Sequence, residues 1–199
     1  MDYARLGHSG LKVSRLCLGA MMLGRWGNQD HDDCGRIVRR AIDEGVNFID
    51  TANRYSHGES EEILGKALAG RRDEVVLATK VFMPGPGGLL DRGNSRRHVM
   101  LQIEESLKRL RTDWIDLYQI HRNDADTPIE ETLGALTDCV RQTGKTSRSI
   151  SREKIEYGGC VDTKRSRFRF SDAQSDSTIF QPPKNIERDS ASVPVETPR

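Results

Sequence analysis

Four side chains that can exchange protons or hold charge are spaced along the first two-thirds of the sequence: Asp50, Tyr55, Lys80 and His121. Asp50, Lys80 and His121 each fall at or just beyond the end of a different apolar segment, and Tyr55 follows Asp50 closely. A phenol beside an ammonium group is a candidate proton donor, because the cation favours the phenolate and a carboxylate compensates the cation. The pattern therefore predicts acid–base chemistry.

Each of these residues also has a plainer explanation when it is considered alone. Asp50 could cap a helix or a turn, Tyr55 could be a surface aromatic residue, and Lys80 could be solvated. His121 could be a loop histidine whose hydrogen bonds are satisfied. Their joint placement favours catalysis, because the carboxyl ends of consecutive parallel strands meet on one rim, where the active sites of (β/α)8 barrels are built.

The elements that must position these residues alternate between strands and helices. A turn at Gly7-His8-Ser9-Gly10 predicts a β-hairpin formed by Tyr3–Leu6 and Leu11–Arg15. The later strands are predicted at Leu16–Leu18, Asn47–Asp50, Val75–Thr79 and Ile115–Gln119, and the helices at Asp32–Glu44, Glu59–Ala69, Ser95–Leu110 and Pro128–Arg141. Consecutive β-α units predict parallel strands with right-handed crossovers, in either an open sheet or a closed barrel.

Over residues 3–142 the sequence resembles the aldo-keto reductase family. The matching segments are GVNFIDTANRYSHGESEEILGKAL, VVLATKV, SLKRLRTDWIDLYQIHR and TPIEETLGALTDCVRQ, preceded by GLKVSRLCLGAMMLG. The resemblance implies an α/β fold, namely the first half of a (β/α)8 TIM barrel with an N-terminal β-hairpin. It also implies an NADPH-dependent oxidoreductase that reduces aldehyde or ketone carbonyls, with a small carbonyl compound as its substrate.

The resemblance further implies a role for each of the acid–base residues. Tyr55 would protonate the carbonyl oxygen as hydride reaches the carbon. Lys80 would favour the phenolate of Tyr55, and Asp50 would hold and compensate the lysine. His121 would orient the substrate oxygen or pass a proton, and the donors together would stabilise the charge that develops on it.

Further residues are assigned to the cofactor and the substrate by the same resemblance. Ala20 and Met21, together with Asp50, would line the nicotinamide–ribose pocket. Trp26 and His57 lie in loops that follow the first two barrel strands, so they could contact the substrate with His121, although ordinary loop packing also explains them. Separately, Glu59 and Glu61 are expected to begin a helix favourably with respect to its dipole.

The sequence changes character after Gln142. From Cys139 to Arg199 it contains no leucine and no methionine, and serine, charged residues and proline occur without a period. Such a segment buries too little apolar surface to offset its ordering entropy. We therefore predict a partial barrel at residues 1–142, made of the hairpin and four β-α units. Residues 143–199 would be a non-matching tail that is disordered or frame-shifted.

This division leaves a second function open. The family's ring-stacking and adenosine-phosphate residues belong to the second half of the barrel, which the tail does not match. The alternative to a reductase is therefore an inactive truncated barrel that acts at most as a binding or interaction module.

Composition narrows the other classes of function. A formal net charge of +1 gives no argument for nucleic acid, and the basic residues Lys164–Arg169 are better explained by a solvated tail. The sequence contains no apolar run of the roughly 20 residues that span a bilayer, so we expect a cytoplasmic protein. Its four cysteines are scattered without metal-ligand spacing, so we expect reduced thiols and no metal site. Oligomeric state is left open.

Overall fold

A computed structural model of the chain describes residues 1–142 and two short strands at residues 155–157 and 159–160. The chain opens with β1 (Tyr3–Arg5), which pairs antiparallel with β2 (Lys12–Ser14). This is the predicted β-hairpin. Ser14 and Asn47 exchange hydrogen bonds of 2.6 and 3.2 Å, which fasten the hairpin to the residue that directly precedes the sheet strand Phe48–Asp50.

The central sheet contains the parallel strands predicted from the sequence. They are β3 (Leu18–Gly19), β4 (Phe48–Asp50), β5 (Val76–Val81) and β6 (Leu117–Ile120), and each lies beside the strand that follows it in the chain. Beyond them, β7 (Ile155–Tyr157) pairs parallel with β6, and β8 (Gly159–Cys160) pairs antiparallel with β7. The carboxyl ends of β3 to β7 therefore share one rim.

Four helices connect the strands and cover one face of the sheet: α1 (His31–Asp43), α2 (Glu59–Ala67), α3 (Arg96–Leu110) and α4 (Ile129–Gln142). Ile49, Leu77 and Val81 point from the sheet into this layer and are fully buried in one apolar core. Burying each such side chain contributes roughly 1.5–3 kcal/mol. Since side chains alternate along a strand, Asp50 and Lys80 lie on the opposite face.

Several features differ from the sequence predictions. Single turns of 3-10 helix occur at Tyr55–Gly58, Arg72–Glu74 and Gly88–Leu90, and α2 ends at Ala67 rather than Ala69. The short strand β7 was not predicted, because it stands within a segment of serine and charged residues without a leucine-rich pattern. The predicted tail otherwise lies outside the described residues. Within the described part of the chain, no helix is long and apolar enough to cross a membrane.

Candidate active site

The predicted acid–base residues come together at the carboxyl rim of the sheet. Asp50 is the last residue of β4, Lys80 lies near the end of β5, and His121 directly follows β6. Tyr55 begins the 3-10 turn that leads from β4 to α2. Backbone hydrogen bonds of 2.8–3.0 Å join neighbouring strand ends at this rim. They run from Ala20 N to Asp50 O, from Asn53 N to Lys80 O and from His121 N to Val81 O.

Lys80 is the centre of this group. Its Nζ forms an ion pair with Asp50 Oδ2, donates to the Thr51 carbonyl oxygen at 2.9 Å, and lies 3.4 Å from the Tyr55 hydroxyl. An ammonium group has three donors, so these partners account for all of them. The lysine side chain is only 15% exposed, so its charge acts on Tyr55 with little screening by water.

Aromatic rings surround the Tyr55 phenol. The ring centroid of Tyr55 lies 5.7 Å from that of His121, with the planes at 85°, and 6.2 Å from that of Trp26. Trp26 in turn lies 5.9 Å from the His57 ring, edge to face. The structure thus places Trp26 beside Tyr55, and His57 on the other side of Trp26. Trp26 remains 45% exposed, so its ring has surface to offer a ligand.

Burial and neighbouring charge set the protonation of the flanking groups. Burial, together with the positive charges of Lys80 and Arg122, lowers the pKa of His121 to about 4. The imidazole is therefore neutral at physiological pH. Burial raises the pKa of Asp50, and the charge and hydrogen bond of Lys80 counteract part of that rise.

The backbone after Tyr55 is strained. Ser56 (φ 49°, ψ 36°) and His57 (φ 60°, ψ 31°) are both left-handed, and Gly58 follows with φ 98°. Non-glycine residues in this region cost on the order of 1–3 kcal/mol each and cluster at functional sites. The turn is held by Ser56 Oγ, which accepts a hydrogen bond from Trp26 N at 3.2 Å. Glycine at position 58 also lets the turn lie against Arg109, since an added Cβ there would be 2.9 Å from Arg109 Cδ.

Two hydroxyl residues that the sequence analysis missed hold the strand ends together. Ser60 Oγ donates to the Ala20 carbonyl oxygen at 2.8 Å and lies 2.9 Å from Thr51 Oγ1. Both hydroxyl side chains are fully buried. They join the ends of β3 and β4 to α2, and thereby fix the carbonyl of Thr51 that receives Lys80. Serine and threonine beside a glycine-containing turn carry no periodic signal, so no pattern in the sequence singles them out.

The two further residues assigned to the cofactor, Ala20 and Met21, follow β3 on the same rim. Ala20 is fully buried, and its backbone N–H contacts Asp50, whereas Met21 is 46% exposed. The side chain of Asp50 is 28% exposed, so a carboxylate and an apolar surface are available close to each other. Among the described residues, no group of three or more His, Cys, Asp or Glu side chains could hold a metal ion.

Comparison with known proteins identifies the family. The sequence model of the Aldo/keto reductase family matches residues 15–173. The chain belongs to the aldo/keto reductase family. This match continues past Gln142, and the division of the chain at that residue stays a prediction.

Curated relatives from bacteria, plants and fungi support the assignment. The chain is 39% identical over 190 residues to the aldo-keto reductase YhdN of Bacillus subtilis (strain 168), covering 94% of this chain and 54% of that protein. It is 46% identical over 140 residues to a probable voltage-gated potassium channel subunit beta of Arabidopsis thaliana, which covers 68% of this chain and 42% of that protein. It is 41% identical over 169 residues to versiconal hemiacetal acetate reductase of Aspergillus parasiticus, covering 73% and 49%.

A solved structure confirms the fold class. The chain matches the crystal structure of a thermostable aldo-keto reductase, Tm1743, in complex with the inhibitor epalrestat, with a TM-score of 0.63 and 34% identity. The match covers 71% of this chain and 50% of that one. The chain thus has the α/β architecture of part of a (β/α)8 barrel, and it spans about half the length of the curated relatives that it matches.

Proposed function

We propose that this chain takes part in the reduction of aldehyde or ketone carbonyls with hydride from NADPH, and that Tyr55 donates the proton. Membership of an oxidoreductase family gives the reaction class. The observation that carries the proposal is the position of Lys80 Nζ, which lies 3.4 Å from the Tyr55 hydroxyl while it is paired with Asp50. The proposal includes a small carbonyl compound as substrate and the cytoplasm as compartment.

The side chains on the rim support a division of labour. Tyr55 would transfer its hydroxyl proton to the carbonyl oxygen as negative charge develops there, and Lys80 would stabilise the phenolate that remains. Asp50 would balance the charge of the lysine in its half-buried position. His121, being neutral, would add a hydrogen bond to the substrate oxygen without placing a second positive charge beside Lys80.

The rim also supports the predicted placement of the cofactor. A nicotinamide–ribose group needs an acceptor for its hydroxyls and an apolar contact for its ring, and the exposed surfaces of Asp50 and Met21 fit that need. Ala20, Met21 and Asp50 would therefore hold this end of NADPH. When bound, the nicotinamide would supply the hydride. The aromatic surface of Trp26 and His57 would contact the organic part of the substrate.

Replacing Tyr55 with phenylalanine tests the proton donor. We expect Tyr55→Phe to lower kcat for carbonyl reduction by about 10²–10⁴-fold, the usual contribution of a general acid, and to leave NADPH affinity nearly unchanged. Tyr118→Phe is the matched control, since it removes a phenol hydroxyl from the helix-facing side of the same sheet, where the hydroxyl donates to Val99 O at 3.3 Å. Equal activity of the two variants would remove Tyr55 from the mechanism.

Two relatives favour a second candidate function, a binding or interaction module without catalysis. The chain is 46% and 44% identical to proteins named as probable voltage-gated potassium channel subunits beta, from Arabidopsis thaliana and Oryza sativa subsp. japonica. Titration of the chain with NADPH, followed by fluorescence, separates the two candidates. We expect saturable binding if the chain is a reductase. Absence of binding near a millimolar, together with absence of carbonyl reduction, would favour the module.

A further inference from the structure

The rim loop, residues 82–93 between β5 and α3, is organised around one buried carboxylate. Asp91 is 8% exposed, its Oδ2 accepts a hydrogen bond from Gly87 N at 3.0 Å, and its carbonyl oxygen accepts one from Gly85 N at 2.7 Å. A Cβ on Gly85 would lie 1.8 Å from Asp91 Oδ2, and one on Gly87 would lie 2.9 Å from Asp91 Cβ. The loop is therefore wrapped closely round this side chain.

The same carboxylate is joined to α3 by a buried amide. Gln102, which is 6% exposed, donates from Nε2 to Asp91 Oδ1 at 2.9 Å. His98 Nδ1 lies 3.2 Å from that oxygen, but burial lowers the pKa of His98, so the ring is neutral and forms no strong ion pair. Gln102 is thus the principal link between α3 and the rim loop.

The other end of the amide reaches the segment that carries the proton donor. Gln102 Oε1 accepts a hydrogen bond of 2.8 Å from Nδ2 of the fully buried Asn53. Asn53 stands between Asp50 and Tyr55, and its backbone N–H donates to the carbonyl oxygen of Lys80 at 3.0 Å. A continuous chain of hydrogen bonds therefore runs from the rim loop to the backbone of the proposed catalytic group.

We propose that Gln102 is a positioning residue for the carbonyl reduction proposed above, and that it couples the rim loop to the segment bearing Tyr55. The amide of Gln102 donates to Asp91 from its nitrogen and accepts from Asn53 at its oxygen at the same time. The rim loop carries Leu89 and Leu90, which are 77% and 62% exposed, so it offers apolar surface on the rim where Tyr55 lies. A substrate group that settles on this loop thereby influences the alignment of the proton donor.

Two substitutions of Gln102 separate its two bonds. Gln102→Leu removes both, whereas Gln102→Glu keeps an acceptor for Asn53 and sets a carboxylate against Asp91. The measurement is hydrogen exchange of the backbone N–H groups. We expect Gln102→Leu to speed exchange of the backbone N–H of Asn53 and of Gly87, and Gln102→Glu to speed it at the Gly87 N–H alone. The double variant Gln102→Glu with Asp91→Asn reverses donor and acceptor, and we expect it to restore protection at Gly87.

Kinetics test the functional part of the inference. Because small misplacements of reacting groups reduce rate steeply, we expect Gln102→Leu to lower kcat by about 10-fold or more with a smaller change in KM. Thr137→Val is the control, since the Thr137 hydroxyl donates only within its own helix, to Leu133 O at 2.8 Å. Unchanged exchange at Asn53 in Gln102→Leu, or an equal loss of kcat in the control, would overturn the inference.

The inference rests on the proposed function, and the two fail differently. A wild-type chain that neither binds NADPH nor reduces carbonyls would refute the reductase, and the inference about catalysis with it. A wild-type chain that is active, with kcat unaffected by Gln102→Leu, would refute the positioning role alone.

Discussion

His121 lies in a half-buried position near the positive charges of Lys80 and Arg122. These surroundings keep its imidazole neutral at pH values at which a free histidine begins to take up a proton. The unfolded chain binds a proton at this residue near pH 6.5, whereas the folded chain does so only near pH 4. The unfolded state therefore holds more protons between these values. It follows that His121 makes the folded state less stable as pH falls through this window, and that its penalty is complete below pH 4.

Replacing His121 with asparagine should flatten this dependence. We expect the free energy of unfolding of wild type to fall more steeply than that of His121→Asn as pH is lowered from about 6.5 to about 4. The measurement is urea denaturation at several pH values. His8, an exposed residue of the hairpin turn, supplies the control His8→Asn. Parallel curves for wild type and His121→Asn would contradict the assigned charge state.

At the scale of elements, α2 and α3 approach so closely that only glycine fits between them. A Cβ on Gly65 would lie 2.5 Å from the Arg109 carbonyl oxygen and 2.7 Å from Leu110 C. We expect Gly65→Ala to destabilise the fold by roughly 1–3 kcal/mol, because backbone must move to admit the methyl group. Gly134→Ala in α4 is the matched control, since that position is open, and it should be neutral or stabilising by about 0.5–1 kcal/mol. Chemical denaturation compares them, and similar midpoints would contradict the close contact.

A buried ion pair joins the same helices to the sheet. Glu61 is fully buried, accepts a hydrogen bond from Thr79 Oγ1 at 2.6 Å, and pairs with Arg109 Nε at 2.7 Å. We expect Arg109→Met to cost about 3 kcal/mol of folding free energy, because it leaves a carboxylate buried and unpaired. Lys108→Met breaks an exposed pair with Glu105 on the same helix and should cost much less, because water screens that pair. Equal losses in urea denaturation would show that Glu61 is not truly desolvated.

Glu61 also shows where sequence reasoning stops. It lies in the first turn of α2, as predicted, but its inward contacts with Thr79 and Arg109 were not foreseen. The helices and parallel strands were predictable because apolar residues recur at their periods. The left-handed turn at Ser56 and His57 was not, because no pattern in residue type marks non-glycine residues with positive φ.

The clustering of the proposed acid–base residues was predictable for a different reason. Asp50, Lys80 and His121 each lie at or just beyond the end of an apolar strand, and parallel strands bring such positions to one rim. The buried hydrogen bond between the side-chain amides of Asn53 and Gln102 was not foreseen, because the two residues are 49 positions apart and no local pattern pairs them.

At the scale of the whole molecule, the helix-covered face of the sheet and the opposite face differ in how far the cysteines near them are buried. The helix-facing side is closed, and Cys34 and Cys139 are buried on that side of the molecule, whereas Cys17 is exposed. Cys17 precedes Leu18, which packs against the core, so it points to the opposite face, where Asp50 influences it.

Thiol labelling tests this asymmetry. Burial of part of the group and the charge of Asp50 raise the pKa of Cys17 to about 12, so we expect its labelling to be slow, and peptide mass spectrometry follows it over time. We expect Cys17 to be modified in the folded chain while Cys34 and Cys139 react only after denaturant is added. Faster modification of Cys34 than of Cys17 would contradict the described packing.

The order of the strands in the sheet follows the order of the chain, and this has a consequence for synthesis on the ribosome. Each strand from β4 to β6 docks beside the one made just before it, so the sheet that begins with β3 can grow without waiting for a distant partner. Asp50, Tyr55 and Lys80 are already adjacent when β5 is in place, and His121 joins them as soon as β6 emerges. The proposed acid–base groups are thus assembled early, by nearest-neighbour contacts alone.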